Sequence, residues 1–197
     1  MRPDTLWAKL RSAPDQPGRP SSDYDLNPPD TVPAGRKLRP AAVLIGIDDD
    51  GLLYLTKRSS RLRHHPGQIA FPGGKVDESD SGPVAAALRE AEEEIALPAD
   101  LVEVIGCLSP HETVTGFVVT PVLARVTAPF TARPEAGEVS EVFSVPLAHV
   151  LNPANFAVEG RRWRGTQRHY YVVPYGPYYI WGATARMLRA LGDRVAG

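Results

Sequence analysis

The chain has 197 residues, enough for one domain with extensions, and 43% of them are hydrophobic, enough for a substantial core. Its 22 basic and 23 acidic side chains give a net charge of −1, which argues against broad binding to nucleic acid or to membranes. A single cysteine, Cys107, excludes an internal disulfide and predicts a reducing, cytoplasmic setting, while its apolar neighbours predict a buried thiol. No apolar run is long enough to cross a bilayer, so a soluble protein is expected.

The amino-terminal part of the chain predicts a short helix over 4–12, followed by an extended arm rich in proline and glycine. Compact structure is expected to begin at "AAVLIGI" (41–47), an apolar run typical of a buried strand. "DDDG" (48–51) predicts a turn, and "LLYLT" (52–56) predicts the returning strand. A long loop rich in basic residues and glycine follows, and loops of this length are often functional.

The rest of the chain mixes helices and strands. A helix is predicted to begin at Pro83, and the further expected elements are strands over 101–108 and 117–126, a strand running into a short helix over 141–151, a last strand over 169–176, and a closing helix over 180–192 that ends at Gly192. Because strands and helices do not alternate strictly, we expect an α+β or mixed α/β fold. The predicted units are an arm over 1–38, one domain over 39–192 and a short tail over 193–197.

Four glutamates crowd the segment "AALREAEEEI" (86–95). On a helix, Glu90, Glu93 and Glu94 share an arc of about 100°, while Glu92 points away. The predicted buried stripe is Val84, Leu88, Ala91 and Ile95, with Ala86 and Ala87 leaving room beside the acidic arc. Like charges at this spacing destabilise a helix, and a bound Mg²⁺ or Mn²⁺ would reverse that penalty. A solvated acidic face is the alternative that the helix alone leaves open.

The preceding loop favours the metal site. "FPGG" (71–74) allows the backbone to approach a ligand closely at Gly73 and Gly74. Basic side chains surround it: Arg58, Arg61, Arg63, His64 and His65. Carboxylates that gather a cation, next to arginines and flexible backbone, indicate a site for a phosphate-containing substrate and a metal-activated water.

These residues resemble the Nudix box, Gly-x5-Glu-x7-Arg-Glu-U-x-Glu-Glu-x-Gly-U, in which U is aliphatic. The matching residues are Gly74, Arg89, Glu90, Glu93, Glu94 and Leu97. Asp80 replaces the first glutamate, one extra residue separates it from Arg89, and Ala91 and Ala96 stand at the aliphatic and second glycine positions. At Ala96, either a left-handed alanine ends the helix or the helix runs on to Pro98.

The stretch "YLTKRSSRLRHHPGQIAFPGG" (54–74) is similar to the added signature of the coenzyme A diphosphatases, Leu-Leu-Thr-x-Arg-(Ser/Ala)-x3-Arg-x3-Gly-x3-Phe-Pro-Gly-Gly. The residues in register are Leu55, Thr56, Arg58, Ser59, Arg63, Gly67, Phe71, Pro72, Gly73 and Gly74, and only Tyr54 departs. The wider resemblance covers about residues 39 to 191 and leaves the arm uncovered.

The resemblance implies a Nudix fold, a mixed β-sheet sandwiched between α-helices with a loop-helix-loop catalytic motif. It implies hydrolysis of coenzyme A or its derivatives to 3′,5′-ADP and 4′-phosphopantetheine with Mg²⁺ or Mn²⁺. Glu90, Glu93 and Glu94 would be the metal ligands, the carbonyl of Gly74 would assist, and Arg89 would orient the carboxylates. The alternatives are a Nudix hydrolase of another nucleoside diphosphate derivative (ADP-ribose, NADH or an oxidised nucleotide) and a non-catalytic Nudix-like binding domain.

The general base and the substrate contacts are less defined. Among the loop carboxylates Glu135, Glu138 and Glu141, we favour Glu138 as the base, with His111 and Glu112 as weaker candidates. We expect Arg58 or Arg63 to recognise the phosphates of coenzyme A, although a buried arginine that pairs within the fold is an equal alternative. "RRWRGTQRHYY" (161–171) is a further stretch suited to an adenine or a phosphate. The preferred coenzyme A derivative and the oligomeric state are not encoded in any motif.

Overall fold

The computed structural model describes residues 3–16, 18–32, 34–62, 65–163 and 165–196. Its α-helices are α1 (Pro3–Ser12), α2 (Pro83–Ile95), α3 (Leu147–Leu151) and α4 (Gly182–Ala196). Short 3₁₀ helices lie at Pro29–Thr31, Ala99–Leu101 and Pro153–Asn155. The strands are β1 (Ser21–Ser22), β2 (Arg39–Asp48), β3 (Leu52–Arg58), β4 (Ile69–Ala70), β5 (Gly73–Lys75), β6 (Val102–Cys107), β7 (His111–Glu112), β8 (Phe117–Val126), β9 (Val139–Pro146), β10 (Ala157–Trp163) and β11 (Thr166–Val172).

The centre of the fold is a parallel pair of long strands, β2 and β8, which pair residue by residue from Arg39 opposite Phe117 to Asp48 opposite Val126. In the described residues the main sheet has nine strands in the order β1-β7-β8-β2-β3-β4, with β5 on β2, β6 on β8 and β9 on β3. The predicted hairpin is confirmed, because β2 turns into antiparallel β3 and the Asp48 carboxylate accepts the Leu52 N–H at 2.8 Å. β10 and β11 form a separate antiparallel hairpin.

Two apolar layers cover the two faces of this sheet. Because successive side chains of a strand point to opposite faces, Ala42 and Leu44 pack into the layer with α2, while Ile45 and Ile47 pack into the layer with α4. α1 and α3 add Leu10, Leu147 and Val150 to the α4 layer. The expected mixed α/β arrangement, a sheet between helices, is thus confirmed. No helix in the described part of the chain is long and apolar enough to span a membrane.

The buried side of α2 differs from the predicted stripe. Ala86 and Ala87 are fully buried together with Ala91 and Ile95, so the expectation that these two alanines leave open space is wrong. Their small side chains let the helix lie close against β2 and β5, while Val84 and Leu88 remain only partly buried at the edge of that layer. The helix therefore turns part of its acidic arc towards the sheet.

The arm before residue 39 packs onto the domain. Leu10, Ala13 and Tyr24 are buried, and β1 pairs in parallel with β7. Ser21 Oγ lies 2.9 Å from His111 Nδ1, and His111 Nε2 lies 3.1 Å from an Asp23 carboxylate oxygen. Residue 38 therefore marks a change in the sequence pattern and not a structural boundary, because side chains of the arm pack into the hydrophobic core of the domain.

Three local expectations are corrected. α4 does not end at Gly192 but runs to Ala196, and the glycine serves close packing instead, since a Cβ there would lie 3.3 Å from the Leu151 carbonyl oxygen. The last strand covers Thr166–Val172 rather than 169–176, and its partner β10 was not predicted because its centre, Glu159 to Arg162, has no apolar residue. Cys107 is exposed at the end of β6, not buried.

The end of α2 yields a stability prediction. Ala96 adopts a left-handed conformation (φ 56°, ψ 36°), as the first alternative for this position required, and its N–H donates to Glu92 O at 3.0 Å. Because alanine is disfavoured there and glycine is not, Ala96→Gly is expected to raise the free energy of unfolding by about 1 kcal/mol. Urea denaturation followed by circular dichroism measures this. Equal or lower stability of the variant would contradict the role of Ala96 as a strained helix cap.

Candidate active site

The acidic residues of α2 occupy three environments. Glu94 is buried, with only 4% of its surface exposed, although it is ionisable. Glu90 is partly buried, and the side chain of Glu93 lies at the outer edge with 58% exposed. Glu92 is exposed and points away, as predicted. The helix thus directs Glu90 and Glu94 towards the sheet and leaves Glu93 at the rim.

Two glycines of β5 receive these carboxylates. The N–H of Gly73 donates to Glu94 Oε2 at 3.2 Å. A Cβ on Gly74 would collide with the carboxylate of Glu90, and one on Gly73 would collide with the backbone of β2. Only glycine fits at positions 73 and 74, because the backbone of β2 and the carboxylate of Glu90 occupy the space that a side chain would need.

Burial changes the ionisation of both inner glutamates. Burial raises the pKa of Glu94 to about 7, and the charges of Glu90 and Glu138 raise it as well, against the opposing effects of Gly73 N–H and Arg58. The pKa of Glu90 is also raised, mainly by burial, although Arg89 lowers it. The raised pKa values show that Arg58 and Arg89 do not fully offset the effect of burial on these carboxylates, and a bound cation would add the missing positive charge.

Arg89 holds the outer part of the acidic cluster together. Its Nε and Nη2 donate to the two oxygens of Asp80 at 3.0 and 2.9 Å, and its Nη1 donates to Glu90 at 3.1 Å and to Glu93 at 3.2 Å. These contacts raise the pKa of Arg89 further, with Asp80 as the main cause, and the guanidinium lowers the pKa of Asp80. The aspartate that replaces the first glutamate of the box therefore fixes Arg89, which in turn fixes Glu90 and Glu93.

The donor set fits a hard divalent cation. Within the described residues, no three His, Cys, Asp or Glu side chains are already grouped as a metal cluster, because Arg89 draws Glu93 outwards. Glu90 and Glu94 nevertheless face the same glycine pair, and their oxygens, with the Gly74 carbonyl, are the ligand type that Mg²⁺ and Mn²⁺ prefer. A bound cation would therefore depend mainly on Glu90 and Glu94 as ligands. Glu93 would become a further ligand when its hydrogen bond with Arg89 breaks.

Arg58 and Ser59 connect the stretch similar to the coenzyme A diphosphatase signature (54–74) to the same cluster of carboxylates. Arg58 Nη1 lies 3.9 Å from Glu94 Oε1. The N–H of Ser59 donates to the carbonyl of Glu138 at 2.7 Å, which joins the signature loop to the loop of the expected base. Arg63 and His64, also proposed from the sequence, lie outside the described residues. Of the predicted substrate arginines, Arg58 is thus placed beside the carboxylates.

The three loop carboxylates differ in their contacts. Glu135 accepts the N–H groups of Gly137 and Glu138 at 2.7 and 2.8 Å and so shapes the turn. Glu141 accepts the Tyr178 hydroxyl at 2.5 Å. The Glu138 carboxylate has no hydrogen bond to any residue the structure describes, and its charge raises the pKa values of Glu90 and Glu94. Glu138 is therefore the loop carboxylate that faces the cluster.

The weaker candidates for the base have other partners. His111 is fully buried against Ser21 and Asp23, and Glu112 forms an ion pair with Arg36. Both belong to the contact between the arm and the domain.

A cavity of about 700 Å³ lies in the layer between the sheet and α4, on the face opposite α2, and was not predicted as a pocket. It is bounded by the arm, the loop at 65–71, the hairpin of β10 and β11, and the start of α4. It reaches Val43, which pairs with Gly73 in the sheet. The sequence signal for it was the stretch 161–171, rich in arginine and aromatic residues, but the contribution of the arm had no recognisable motif.

Comparison with known proteins agrees with this geometry. The NUDIX domain family matches residues 37–164. The protein described as uncharacterized Nudix hydrolase NudL of Escherichia coli (strain K12) is 47% identical over 160 residues, which cover 80% of this chain and 83% of that protein. Its counterpart in Enterobacter sp. (strain 638) is 44% identical over the same coverage.

Among solved structures, a Nudix hydrolase from M. smegmatis, RenU, matches 58% of this chain and 73% of its own at 26% identity, with a TM-score of 0.46. A C. elegans Ap4A hydrolase binary complex matches 55% and 80% at 20% identity, with a TM-score of 0.48. The family match covers most of the chain and contains the loop, helix and glutamates described above. The chain therefore belongs to the Nudix family and is a Nudix hydrolase, an enzyme that cleaves the diphosphate bond of nucleoside diphosphate derivatives.

Proposed function

We propose that this enzyme hydrolyses the diphosphate bond of coenzyme A or its derivatives, giving 3′,5′-ADP and 4′-phosphopantetheine or its acylated form, with Mg²⁺ or Mn²⁺ as cofactor. The observation that carries the proposal is the joining of two motifs at one point. Gly73 and Arg58 of the coenzyme A signature both contact Glu94 of the Nudix helix. Two residues of the stretch that resembles the coenzyme A diphosphatase signature thus lie against the carboxylates that would hold the metal. The substrate is a small molecule, and a cytoplasmic setting remains a prediction.

The acidic residues have different roles in the proposed reaction. Glu90, Glu93 and Glu94, with the carbonyl of Gly74, would hold the cation, which when bound supplies neutralisation of the diphosphate charge and activation of the attacking water. Gly73 N–H orients Glu94, and Arg89 acts as a positioning residue because it binds Asp80, Glu90 and Glu93 together. In this proposal Glu138 accepts a proton from the attacking water.

The substrate contacts follow from charge. Arg58 is the described arginine of the signature nearest the carboxylates and would meet a phosphate oxygen of the bound diphosphate. Arg63 shares this proposed role by its place in the signature alone. The absence of side chains at Gly73 and Gly74 lets the carboxylates of Glu94 and Glu90 lie against this strand, where they would hold the metal that meets the diphosphate. ADP-ribose or NADH is the competing substrate class, since either presents the same diphosphate.

The first test is product analysis with a matched pair of variants. The parent enzyme with Mg²⁺ or Mn²⁺ is expected to convert coenzyme A to 3′,5′-ADP and 4′-phosphopantetheine, resolved by chromatography. Glu94→Gln should lower kcat by about 100-fold or more because it removes a buried ligand charge. Glu92→Gln, on the exposed side of the same helix, should leave kcat unchanged. Turnover of ADP-ribose or NADH but not coenzyme A, with the same dependence on Glu94, would overturn the substrate and retain the metal site.

The second test concerns the base. Glu138→Gln is expected to lower kcat by about 10²-fold or more with little change in KM, because proton transfer and not binding is impaired. Glu141→Gln is the control, since its side chain bonds to Tyr178 and an amide oxygen can still accept that hydroxyl. A kcat of Glu138→Gln within a few-fold of the parent at its pH optimum would show that another group is the base.

The third test uses stability without metal. The pKa of Glu94 is about 7 in the folded protein against an ordinary value of 4.5, so the folded state binds more protons than the unfolded state between these values. The stability of the metal-free protein should therefore fall as the pH rises from 4.5 to 7 and should not fall further through this group above 7. Glu94→Gln removes this penalty and is expected to be more stable at pH 8, on the order of 1–3 kcal/mol.

Thermal denaturation in the presence of a chelator measures this difference. The advantage of Glu94→Gln should shrink towards pH 4.5, and adding Mn²⁺ at pH 8 should stabilise the parent more than the variant. Equal stability of parent and variant at pH 8 would contradict a buried, uncompensated Glu94. An advantage that grew as the pH fell would contradict it as well.

A further inference from the structure

The segment that carries Glu138 is attached at its first end to the catalytic helix. We call residues 133–138 the base segment. The N–H of Arg133 donates to the Ile95 carbonyl at 3.1 Å, and the N–H of Glu135 donates to the Glu94 carbonyl at 3.0 Å. Carbonyls in the last turn of a helix have no intrahelical partner, so the base segment supplies partners to the end of α2. One of these bonds is to the backbone of the buried glutamate itself.

The second end of the base segment is attached to β3. The N–H of Ser59 donates to the Glu138 carbonyl at 2.7 Å, and Val139, the first residue of β9, pairs with Arg58. Backbone bonds therefore fix both ends of the segment to the elements that carry Glu94 and Arg58. The turn between these ends then determines where the Glu138 side chain points.

Glu135 closes this turn. Its Oε2 accepts the N–H of Gly137 at 2.7 Å and the N–H of Glu138 at 2.8 Å, and its carbonyl accepts the N–H of Val139 at 2.9 Å. This is the bonding pattern of a helix N-cap, in which a side-chain oxygen accepts the N–H groups two and three residues further on. Because the segment forms only a single turn, the two bonds to the carboxylate are a large part of what holds it.

The two glutamates of the turn point to different partners. A Cβ on Gly137 would lie 3.0 Å from Glu135 Oε2, so the glycine leaves the space in which the Glu135 carboxylate folds back onto the turn. The Glu138 carboxylate instead faces the acidic cluster, where its charge acts on Glu90 and Glu94. Glu135 thus binds the backbone of the turn, and Glu138 is the side chain that the turn presents to the site.

We propose that Glu135 is a positioning residue that fixes the Glu138 carboxylate relative to Glu94. Its N–H binds the Glu94 carbonyl and its carboxylate binds the Glu138 N–H, so one residue connects the two. This role requires a hydrogen-bond acceptor at position 135 and not a negative charge. The inference rests on the part of the proposed function that makes Glu138 the base, and it is independent of which nucleoside diphosphate derivative is the substrate.

The first variants separate the acceptor from the charge. Glu135→Gln keeps an oxygen that can accept both N–H groups and should retain kcat within about two-fold. Glu135→Ala removes the acceptor and should lower kcat about five- to ten-fold with KM within about two-fold, because the base is displaced while binding is intact. An equal loss in both variants would show that the charge matters and would overturn the positioning role.

Ser140→Ala is the matched control for a lost hydrogen bond. The Ser140 hydroxyl donates to the Lys57 carbonyl at 3.0 Å, so the variant also removes a side-chain bond close to Glu138, but outside the turn. Its kcat should equal that of the parent within about two-fold. A loss as large as that of Glu135→Ala would mean that any weakening of this region lowers activity, and it would overturn a specific role for Glu135.

A double variant shows whether Glu135 acts through Glu138. Once the base carboxylate is absent its position has no effect, so Glu135→Ala should lower kcat by less than about two-fold in a Glu138→Gln background. A full five- to ten-fold loss in that background would show that Glu135 acts on another part of the site and would overturn the role.

Amide hydrogen exchange tests the turn without turnover. The N–H groups of Gly137 and Glu138 should exchange about ten-fold faster in Glu135→Ala than in the parent or in Glu135→Gln, because they lose their acceptor. Equal exchange in all three proteins would overturn the proposed contact.

Failure of this inference can be distinguished from failure of the proposed function. If coenzyme A is hydrolysed and Glu138→Gln is impaired while Glu135→Ala equals the parent, only the positioning role is overturned. If Glu138→Gln also equals the parent, the base assignment and the positioning role fail together while coenzyme A hydrolysis stands. If the parent hydrolyses ADP-ribose or NADH and not coenzyme A, the substrate proposal fails, and the same variants measured with that substrate decide the role of Glu135.

Discussion

The close approach of α2 to the sheet is the constraint on which the site depends. Ala86, Ala87 and Ala91 remove side-chain bulk from the helix, and Gly73 and Gly74 remove it from the strand beneath. The space that remains is filled by the carboxylates of Glu90 and Glu94. Burying an ionised carboxylate without a partner is costly, and the raised pKa of Glu94 expresses that cost. The fold tolerates it because the surrounding core supplies the stability, and the result is a site with a deficit of positive charge at the point where the proposed cation would bind.

Arg89 and Asp80 keep this strained arrangement in one geometry. A bidentate pair between a guanidinium and a carboxylate has a fixed orientation, and here it fixes the guanidinium before any ligand arrives. The remaining donors of Arg89 then reach Glu90 and Glu93. Asp80, which stands at the first glutamate position of the box with one additional residue before Arg89, therefore binds the arginine of the same motif.

Sequence reasoning succeeded where a periodic pattern and a local signal agreed. β2 and β8 were predicted within a few residues because both are mainly apolar, and the start of α2 followed from Pro83. It failed where packing between distant parts of the chain determines which residues are buried and where an element ends. The period of α2 could not show that alanines would face the sheet more fully than Val84 and Leu88, and Gly192 resembled a helix end although it marks the contact of α4 with Leu151. Polar β10 lacked the apolar alternation by which a strand is recognised.

The same contrast between local patterns and tertiary packing applies to the candidate site. The carboxylates lie within one helix, so their relative positions follow from helix geometry and were accessible from the sequence. Glu138 and Arg58 come from distant segments, which meet through the pairing of Arg58 with Val139 and the bond from Ser59 N–H to the Glu138 carbonyl. The cavity of about 700 Å³ is a stronger case, because its walls come from separate parts of the chain, and those from the arm, β11 and the start of α4 lie outside residues 37–164, which match the family. In this chain, the buried contact of Ser21, His111 and Asp23 holds the arm in place and so couples it to the domain.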